Sequence, residues 1–268
     1  MSNGNLPEGV AVVTGAAGGM GSATARQLAA AGWHDLLLCD ISEDRLEAVA
    51  APLRAAGNRV TVLAGDIADP AFPACIVAAL DGKQVAALAH AAGISPAQGD
   101  AERILAVNLD GTARLVDALR EHMAPGSAAI LFASNSSYFP MPPEAAAAFT
   151  APLPEGGAAA LIHLAPSPEM AYPLSKLGVR ALAKREAKAF GERGARIASM
   201  SPGAIDTPMT QGGNFDIVQR MASASASGRM GTADELAAVV TFMCSPAASF
   251  VTAVDWLVDG GHTAGMGF

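Results

Sequence analysis

Aromatic residues are scarce in this chain: they occupy 5% of its 268 positions, with two tyrosines and two tryptophans. A hydrophobic fraction of 51% must therefore come mainly from Ala, Val, Leu and Ile, which suits helices packed closely on a sheet. Cysteine is equally sparse. Cys39, Cys75 and Cys244 are odd in number and far apart. That excludes a disulfide framework and shows no metal-ligand spacing, and it suits a reducing cytoplasm. Positive charge is in deficit, with 17 Lys and Arg against 25 Asp and Glu and a formal net charge of −8. No basic patch stands out, which argues against nucleic acid or an anionic membrane surface as partner. No uninterrupted apolar run reaches the roughly 18 residues of a membrane span. The opening Met1-Ser2-Asn3-Gly4-Asn5 has no basic-then-apolar leader pattern.

What is present is a regular alternation. Short apolar, β-branched runs at residues 10–13, 36–40, 60–64, 85–90, 128–133, 195–200 and 253–258 read as buried strands. Between them, residues 22–31, the stretch from Ser42 onward, and residues 72–80, 101–123, 172–191 and 234–243 read as helices. Strands alternating with helices at this spacing imply βαβ units and a parallel sheet covered on both faces. The expected architecture is an α/β, doubly wound parallel sheet, a Rossmann fold, in a single domain over residues 1–268. In such sheets ligands bind at the carboxyl ends of the strands. Two stretches break the rhythm: residues 138–168, rich in Pro, Ala and Gly, and residues 209–230, rich in Met, Ser and Ala. Both are too long for simple connectors and read as an insertion and a binding loop. Within the insertion, residues 144–149 and 158–164 are expected to form short helices separated by prolines.

The chemistry sits at the strand ends. Thr14-Gly15-Ala16-Ala17-Gly18-Gly19-Met20-Gly21 follows the first strand and opens a helix, where glycines let a pyrophosphate approach the backbone. The spacing is Gly-x-x-x-Gly-x-Gly, not Gly-x-Gly-x-x-Gly. Asp40 ends the second strand. A carboxylate there accepts hydrogen bonds from both ribose hydroxyls of an adenosine and repels a 2′-phosphate. Ala16, Ala17 and Ile41 offer no compensating cation, so NAD is expected over NADP. Asp66, after the third strand, could meet the adenine edge or serve as a turn residue. Tyr172 and Lys176 are four apart and share one helix face. An ammonium near a phenol is expected to lower its pKa and make it a usable acid/base.

Together these motifs resemble the short-chain dehydrogenase/reductase family over essentially the whole chain. The matching pieces are Thr14-Gly15-x-x-x-Gly19-x-Gly21, Asp66, Asn108, Ser134, Tyr172-x-x-x-Lys176, and Pro202-Gly203 leading to Thr207. The resemblance implies that Ser134 orients the substrate oxygen and that Tyr172 is the acid/base. Lys176 would bind the nicotinamide ribose and tune Tyr172, Asn108 would hold a water in a proton relay, and Thr207 would contact the carboxamide. It implies a cofactor surface made of Gly15, Gly19, Met20, Gly21, Asp40, Ile41, Asp66, Ile67, Ala92, Gly93, Tyr172, Lys176, Pro202, Gly203, Ile205 and Thr207.

The chain departs from the family pattern in three places. His90-Ala91-Ala92-Gly93 stands where the family has Asn-Asn-Ala-Gly, so a sheet-stabilising Asn is missing and His90 is expected to pack, not to do chemistry. Ser134 is followed by Asn135-Ser136-Ser137, which leaves Ser136 as the alternative active serine. The gap from Ser134 to Tyr172 is far longer than usual. That insertion is similar to the bacterial 3-alpha-hydroxysteroid dehydrogenase/carbonyl reductase branch. The expected function is an NAD-dependent oxidoreductase interconverting a secondary alcohol and a ketone, on a bulky alicyclic, steroid- or terpenoid-like substrate. The alternatives are a reductase of small carbonyl compounds and a catalytically silent NAD-binding sensor or scaffold. The resemblance further implies a cytoplasmic homodimer or homotetramer, with the insertion covering a surface that many members use for assembly.

Overall fold

The computed structural model describes residues 5–211 and 215–266. The leader reading at residues 1–4 and residues 212–214 of the long loop lie outside the described residues. In chain order the elements begin with β1 (Val10–Thr14), α1 (Gly19–Ala30), β2 (Asp35–Asp40), α2 (Glu43–Ala55), β3 (Arg59–Ala64), α3 (Phe72–Ala79) and β4 (Val85–His90). Then come α4 (Ala101–Leu105), a π-helical turn (Ala106–Asp110), α5 (Gly111–Arg120) and β5 (Met123–Phe132). A 3-10 turn (Asn135–Tyr138), α6 (Pro143–Thr150) and a second 3-10 segment (Gly157–Leu164) precede the long α7 (Pro168–Glu192). The chain closes with β6 (Arg196–Pro202), β7 (Ile205–Asp206), α8 (Phe215–Ala224), β8 (Gly231–Thr232), α9 (Ala233–Cys244), β9 (Asp255–Val258) and α10 (His262–Gly265).

Seven strands form one sheet in the order β3-β2-β1-β4-β5-β6-β9, every pairing parallel. The strand order reverses between β1 and β4, which opens a crevice at their carboxyl ends. Register brings those ends level: Thr14 pairs with Cys39 and with His90, and His90 with Leu131. The central strands are buried on both faces, which is why β1 reads Val-Ala-Val-Val-Thr without polar alternation. Two apolar clusters flank the sheet. One joins it to α3, α4, α5 and α7 through residues such as Ile76, Leu105, Leu119, Leu174 and Phe190; the other joins it to α1, α2 and α9 through Leu28, Leu46 and Val240.

The structure corrects the reading of residues 101–123 as one helix. Met123 belongs to β5, paired with Val85, and strand five starts there, not at residue 128. The helix itself changes pitch at Ala106–Asp110. There the Thr112 hydroxyl donates to the Asn108 carbonyl at 2.7 Å, and Gly111 lies so close to the Ile67 carbonyl that a Cβ would come within 2.7 Å of it. The α9 helix starts on a capping box between Thr232 and Glu235.

The insertion forms the two short helical pieces expected. Arg185 on α7 donates to the Thr150 carbonyl at the end of α6 (2.9 Å), and Asp110 accepts from the Ala158 amide (2.7 Å). The segment thus lies along α7 and the π turn. The stretch 209–230 carries α8.

Candidate active site

The turn between β1 and α1 is shaped by what glycine lacks. Gly15 has φ +67°, and a Cβ on it would sit 2.6 Å from the Ala91 backbone. A Cβ on Gly21 would sit 2.0 Å from the Gly15 carbonyl. Only a chain without side chains here can pass this close to the turn after β4. Gly18 caps α1 with no side-chain bond, so the first amides of the helix face the crevice with the positive end of its dipole. That is a place for a phosphate. The crevice is a cleft of about 430 Å³. Of the predicted cofactor residues, Gly15, Gly19, Met20, Gly21, Asp40, Ile41, Asp66, Ile67, Ala92, Gly93 and Thr207 line it. A dinucleotide fits this chemistry: backbone amides for the pyrophosphate and a carboxylate for the ribose.

Asp40 is held at the cleft wall by two backbone amides, Ala17 (3.0 Å) and Ile41 (2.8 Å). Beside it stands a cation that the sequence reading missed. Arg45, on the first turns of α2, donates to the Ala17 carbonyl at 2.8 Å and lines the same cleft. Its only signal in the sequence was its distance, just over one helical turn, from the end of β2. Asp66 accepts from Arg103 at 2.7 Å and from the Ala68 amide at 2.9 Å, so it is both paired and a turn residue. Pro202 ends β6, and Gly203 and Ile205 lie just beyond it. A Cβ on Gly203 would meet Asp259, and the Ile205 side chain is buried against Gly231. Thr207 packs on Gly19, where a Cβ would come within 2.9 Å of its methyl.

At its inner end the cleft meets α7. A Cβ on Gly93 would lie 3.1 Å from both the Lys176 ammonium and the Asn108 Oδ1, so the cradle and the polar cluster are contiguous. Lys176 donates to the Phe132 carbonyl at 2.9 Å, and its Nζ lies 5.9 Å from the centre of the Tyr172 ring. Burial pulls its pKa down to about 8. Tyr172 is partly buried against the core. Burial raises its pKa, opposed by a hydrogen bond from Ser134. The expectation is a lowering by the ammonium; in this arrangement desolvation raises the Tyr172 pKa, and the opposing pull comes from the Ser134 hydroxyl.

Ser134 lies two residues beyond the end of β5 in an extended conformation and caps the 3-10 turn. Its Oγ accepts from the Ser136 amide (3.2 Å) and the Ser136 hydroxyl (3.0 Å), leaving its own proton free to donate. The Ser136 hydroxyl is thus engaged with Ser134. The other tyrosine, Tyr138, donates to Asp255 at 2.7 Å, and burial with that carboxylate pushes its pKa up to about 12. Asn108 is fully buried. Its side chain accepts from the Ile94 amide (2.8 Å), donates to the Ile94 carbonyl (3.0 Å) and reaches Ser175 Oγ at 3.4 Å. It clamps the loop after β4 to α7.

His90 has a structural place. The Thr112 proton goes to the Asn108 carbonyl, so Thr112 Oγ1 accepts from His90 Nε2 (2.8 Å). Nδ1 then accepts from Thr14 Oγ1 (2.6 Å). Burial and the nearby Lys176 push the imidazole down to about 3, so it stays neutral. His90 joins β1 to the π turn and takes up the sheet-bridging duty of the missing Asn. Among the described residues no cluster of three or more His, Cys, Asp or Glu could hold a metal ion.

The family model for short chain dehydrogenase matches residues 9–151, and the model described as enoyl-(acyl carrier protein) reductase matches residues 159–263. The cis-4-hydroxycyclohexanecarboxylate dehydrogenase of Sinomonas cyclohexanicum is 31% identical, aligned over 96% of this chain and 97% of its own. The 3-alpha-hydroxysteroid dehydrogenase/carbonyl reductase of Comamonas testosteroni is 29% identical over 96% and 97%. The D-threitol dehydrogenase of Mycolicibacterium smegmatis is 29% identical over 95% and 92%. Among solved structures, a short-chain dehydrogenase/reductase from Serratia marcescens superposes with a TM-score of 0.75 at 26% identity, covering 96% of this chain and 99% of that one.

Proposed function

We propose that this chain, which belongs to the short-chain dehydrogenase/reductase family, is an NAD-dependent oxidoreductase that interconverts a secondary alcohol and a ketone on an alicyclic substrate. The observation that carries the reading is the meeting of Ser134, Tyr172 and Lys176 at the inner end of the glycine-walled cleft. A bound nicotinamide dinucleotide would supply the hydride acceptor. The protein supplies position and protons. Ser134 holds the substrate oxygen by donating its hydroxyl proton, and Tyr172, once its own proton has left through the Asn108 relay, takes the alcohol proton at its phenolate oxygen. Lys176 keeps positive charge near that oxygen, and Asn108 helps carry the proton out. The four-residue Tyr172–Lys176 spacing favours carbonyl and alcohol chemistry over reduction of a carbon–carbon double bond.

NAD over NADP rests on Asp40, fixed at the cleft wall where a 2′-phosphate would stand. Arg45 beside it narrows that preference. An alicyclic substrate is supported by the names of several relatives, which act on a cyclohexanecarboxylate, a cyclohexadiene diol and a hydroxysteroid. A small acyclic alcohol is the second reading, favoured by the threitol dehydrogenase.

We read the protein as a cytoplasmic homodimer joined through β9 and α9. Phe242, Val254 and Leu257 there are exposed, and Phe250 is 100% exposed. The insertion lies along α7 and takes up part of the alternative face. The experiment is a panel of cyclic and acyclic secondary alcohols with NAD and with NADP, read by reduced-nicotinamide absorbance. Turnover with NAD on cyclic alcohols supports the reading. Tight NAD binding with no turnover on any member contradicts it.

A further inference from the structure

We propose that Arg180 and Asp255 form a positioning pair that sets the direction of the Ser134 hydroxyl, acting through Ser137 and Tyr138. The inference rests on the reading of Ser134 as the group that holds the substrate oxygen. On α7, Tyr172, Lys176 and Arg180 follow one another at four-residue intervals, so the face that carries the proton chemistry continues one turn to Arg180. Arg180 Nη1 donates to the Ser137 carbonyl (3.0 Å) and to Ser137 Oγ (3.2 Å). Ser137 Oγ in turn donates to the Ser134 carbonyl at 2.6 Å. The guanidinium lies 3.6 Å from the centre of the Tyr138 ring. Tyr138 donates to Asp255 Oδ2 at 2.7 Å, and Arg180 Nε lies 3.5 Å from the same oxygen. Asp255 Oδ1 accepts from Ser199 on β6 at 2.5 Å.

The circuit runs from α7 through the turn that follows Ser134 to the edge strand β9 and back. The last link, from Asp255 back to Arg180, is an ion pair without a hydrogen bond. Its charges are buried: the Arg180 side chain is 16% exposed and that of Asp255 is 3% exposed. A buried ion pair contributes little net stability compared with an apolar pair of the same shape, and its best-attested use is to fix geometry. The geometry fixed here is that of Asn135–Tyr138, the turn that Ser134 caps. Neither Arg180 nor Asp255 reaches the reacting atoms. Both act on them through the serine.

A double-mutant cycle tests this. Ser134→Ala, Arg180→Met and the double variant are assayed on the best alcohol at saturating NAD, with NAD affinity and thermal unfolding recorded for each. Arg180→Met is expected to lower kcat by about 10–100-fold with NAD affinity unchanged. In that background, Ser134→Ala is expected to cost less than about three-fold, far below its cost in the parent. An undiminished Ser134→Ala penalty overturns the proposal, because a merely structural role gives additive effects. If Arg180→Met does not fold, Tyr138→Phe removes only the hydroxyl that reaches Asp255, and the same cycle applies with the same two outcomes. Tyr172→Phe is run alongside. Retained turnover in that variant overturns the functional reading itself, whereas lost turnover with additive Ser134 and Arg180 effects overturns the positioning pair alone.

Discussion

The two halves of the crevice are built by different means. On the side of β1, β2 and α1 the surface is mostly backbone: amides, carbonyls and missing side chains, with Gly15 and Gly21 permitting approaches that a Cβ would forbid. On the side of β5, β6 and α7 it is a lattice of side chains, from Ser134 and Tyr172 back through Ser137, Arg180, Tyr138 and Asp255. A backbone surface recognises what dinucleotides share. A side-chain lattice aims one hydroxyl at one oxygen. The difference teaches that binding and proton transfer should be separable by mutation, one half failing while the other holds.

Four outcomes would sharpen or break that separation, taken from the largest effect down. Tyr172→Phe should lower kcat by about 10²–10⁴-fold, measured under saturating NAD and alcohol.

Lys176 comes next. Its folded pKa, about 8, is below the ordinary 10.5. Below pH 8 the ammonium is protonated in both folded and unfolded chains, and its burial penalty is fully present. As pH rises from 8 to 10.5 the folded chain releases the proton first, and the penalty is relieved. Relative to Lys176→Met, the parent should therefore gain about 3 kcal/mol across that window, read by denaturant unfolding at each pH. A constant difference would mean that the lysine is not desolvated.

Gly21→Ala should destabilise the fold by about 1–3 kcal/mol and weaken NAD binding, while the NAD-free arrangement of α7 survives. The smallest effect concerns the cation beside Asp40. Arg45→Ala should raise the NAD-over-NADP ratio of kcat/KM by a few-fold, and Asp40→Ala combined with Ile41→Arg should narrow or reverse it. Equal wild-type kcat/KM for the two cofactors would count against the assignment of Asp40.

The same division explains what could be read from the sequence. The strands, the glycine turn and the Tyr172–Lys176 face are local patterns, since each is set by spacing within a few residues. The two short helices of the insertion were legible for the same reason, from helix formers bounded by prolines. The π turn at Asn108 was not, because it depends on contacts with Ile94, Thr112 and Ile67 that the chain brings together only on folding. Met123 reads as the tail of a helix until β4 pairs with it. Arg45 and Arg180 look like solvated helix charges, and only the fold places one in the cleft and the other against Asp255. The choice between Ser134 and Ser136 turns on a contact that only the folded turn makes, the Ser136 hydroxyl donating to Ser134 Oγ.

The most direct test of separable halves is calorimetric titration of NAD into Tyr172→Phe and Gly21→Ala, set beside their turnover. Tyr172→Phe should bind NAD with the wild-type Kd while losing turnover, and Gly21→Ala should lose affinity. A Tyr172→Phe variant whose NAD affinity falls as far as its turnover would contradict the account.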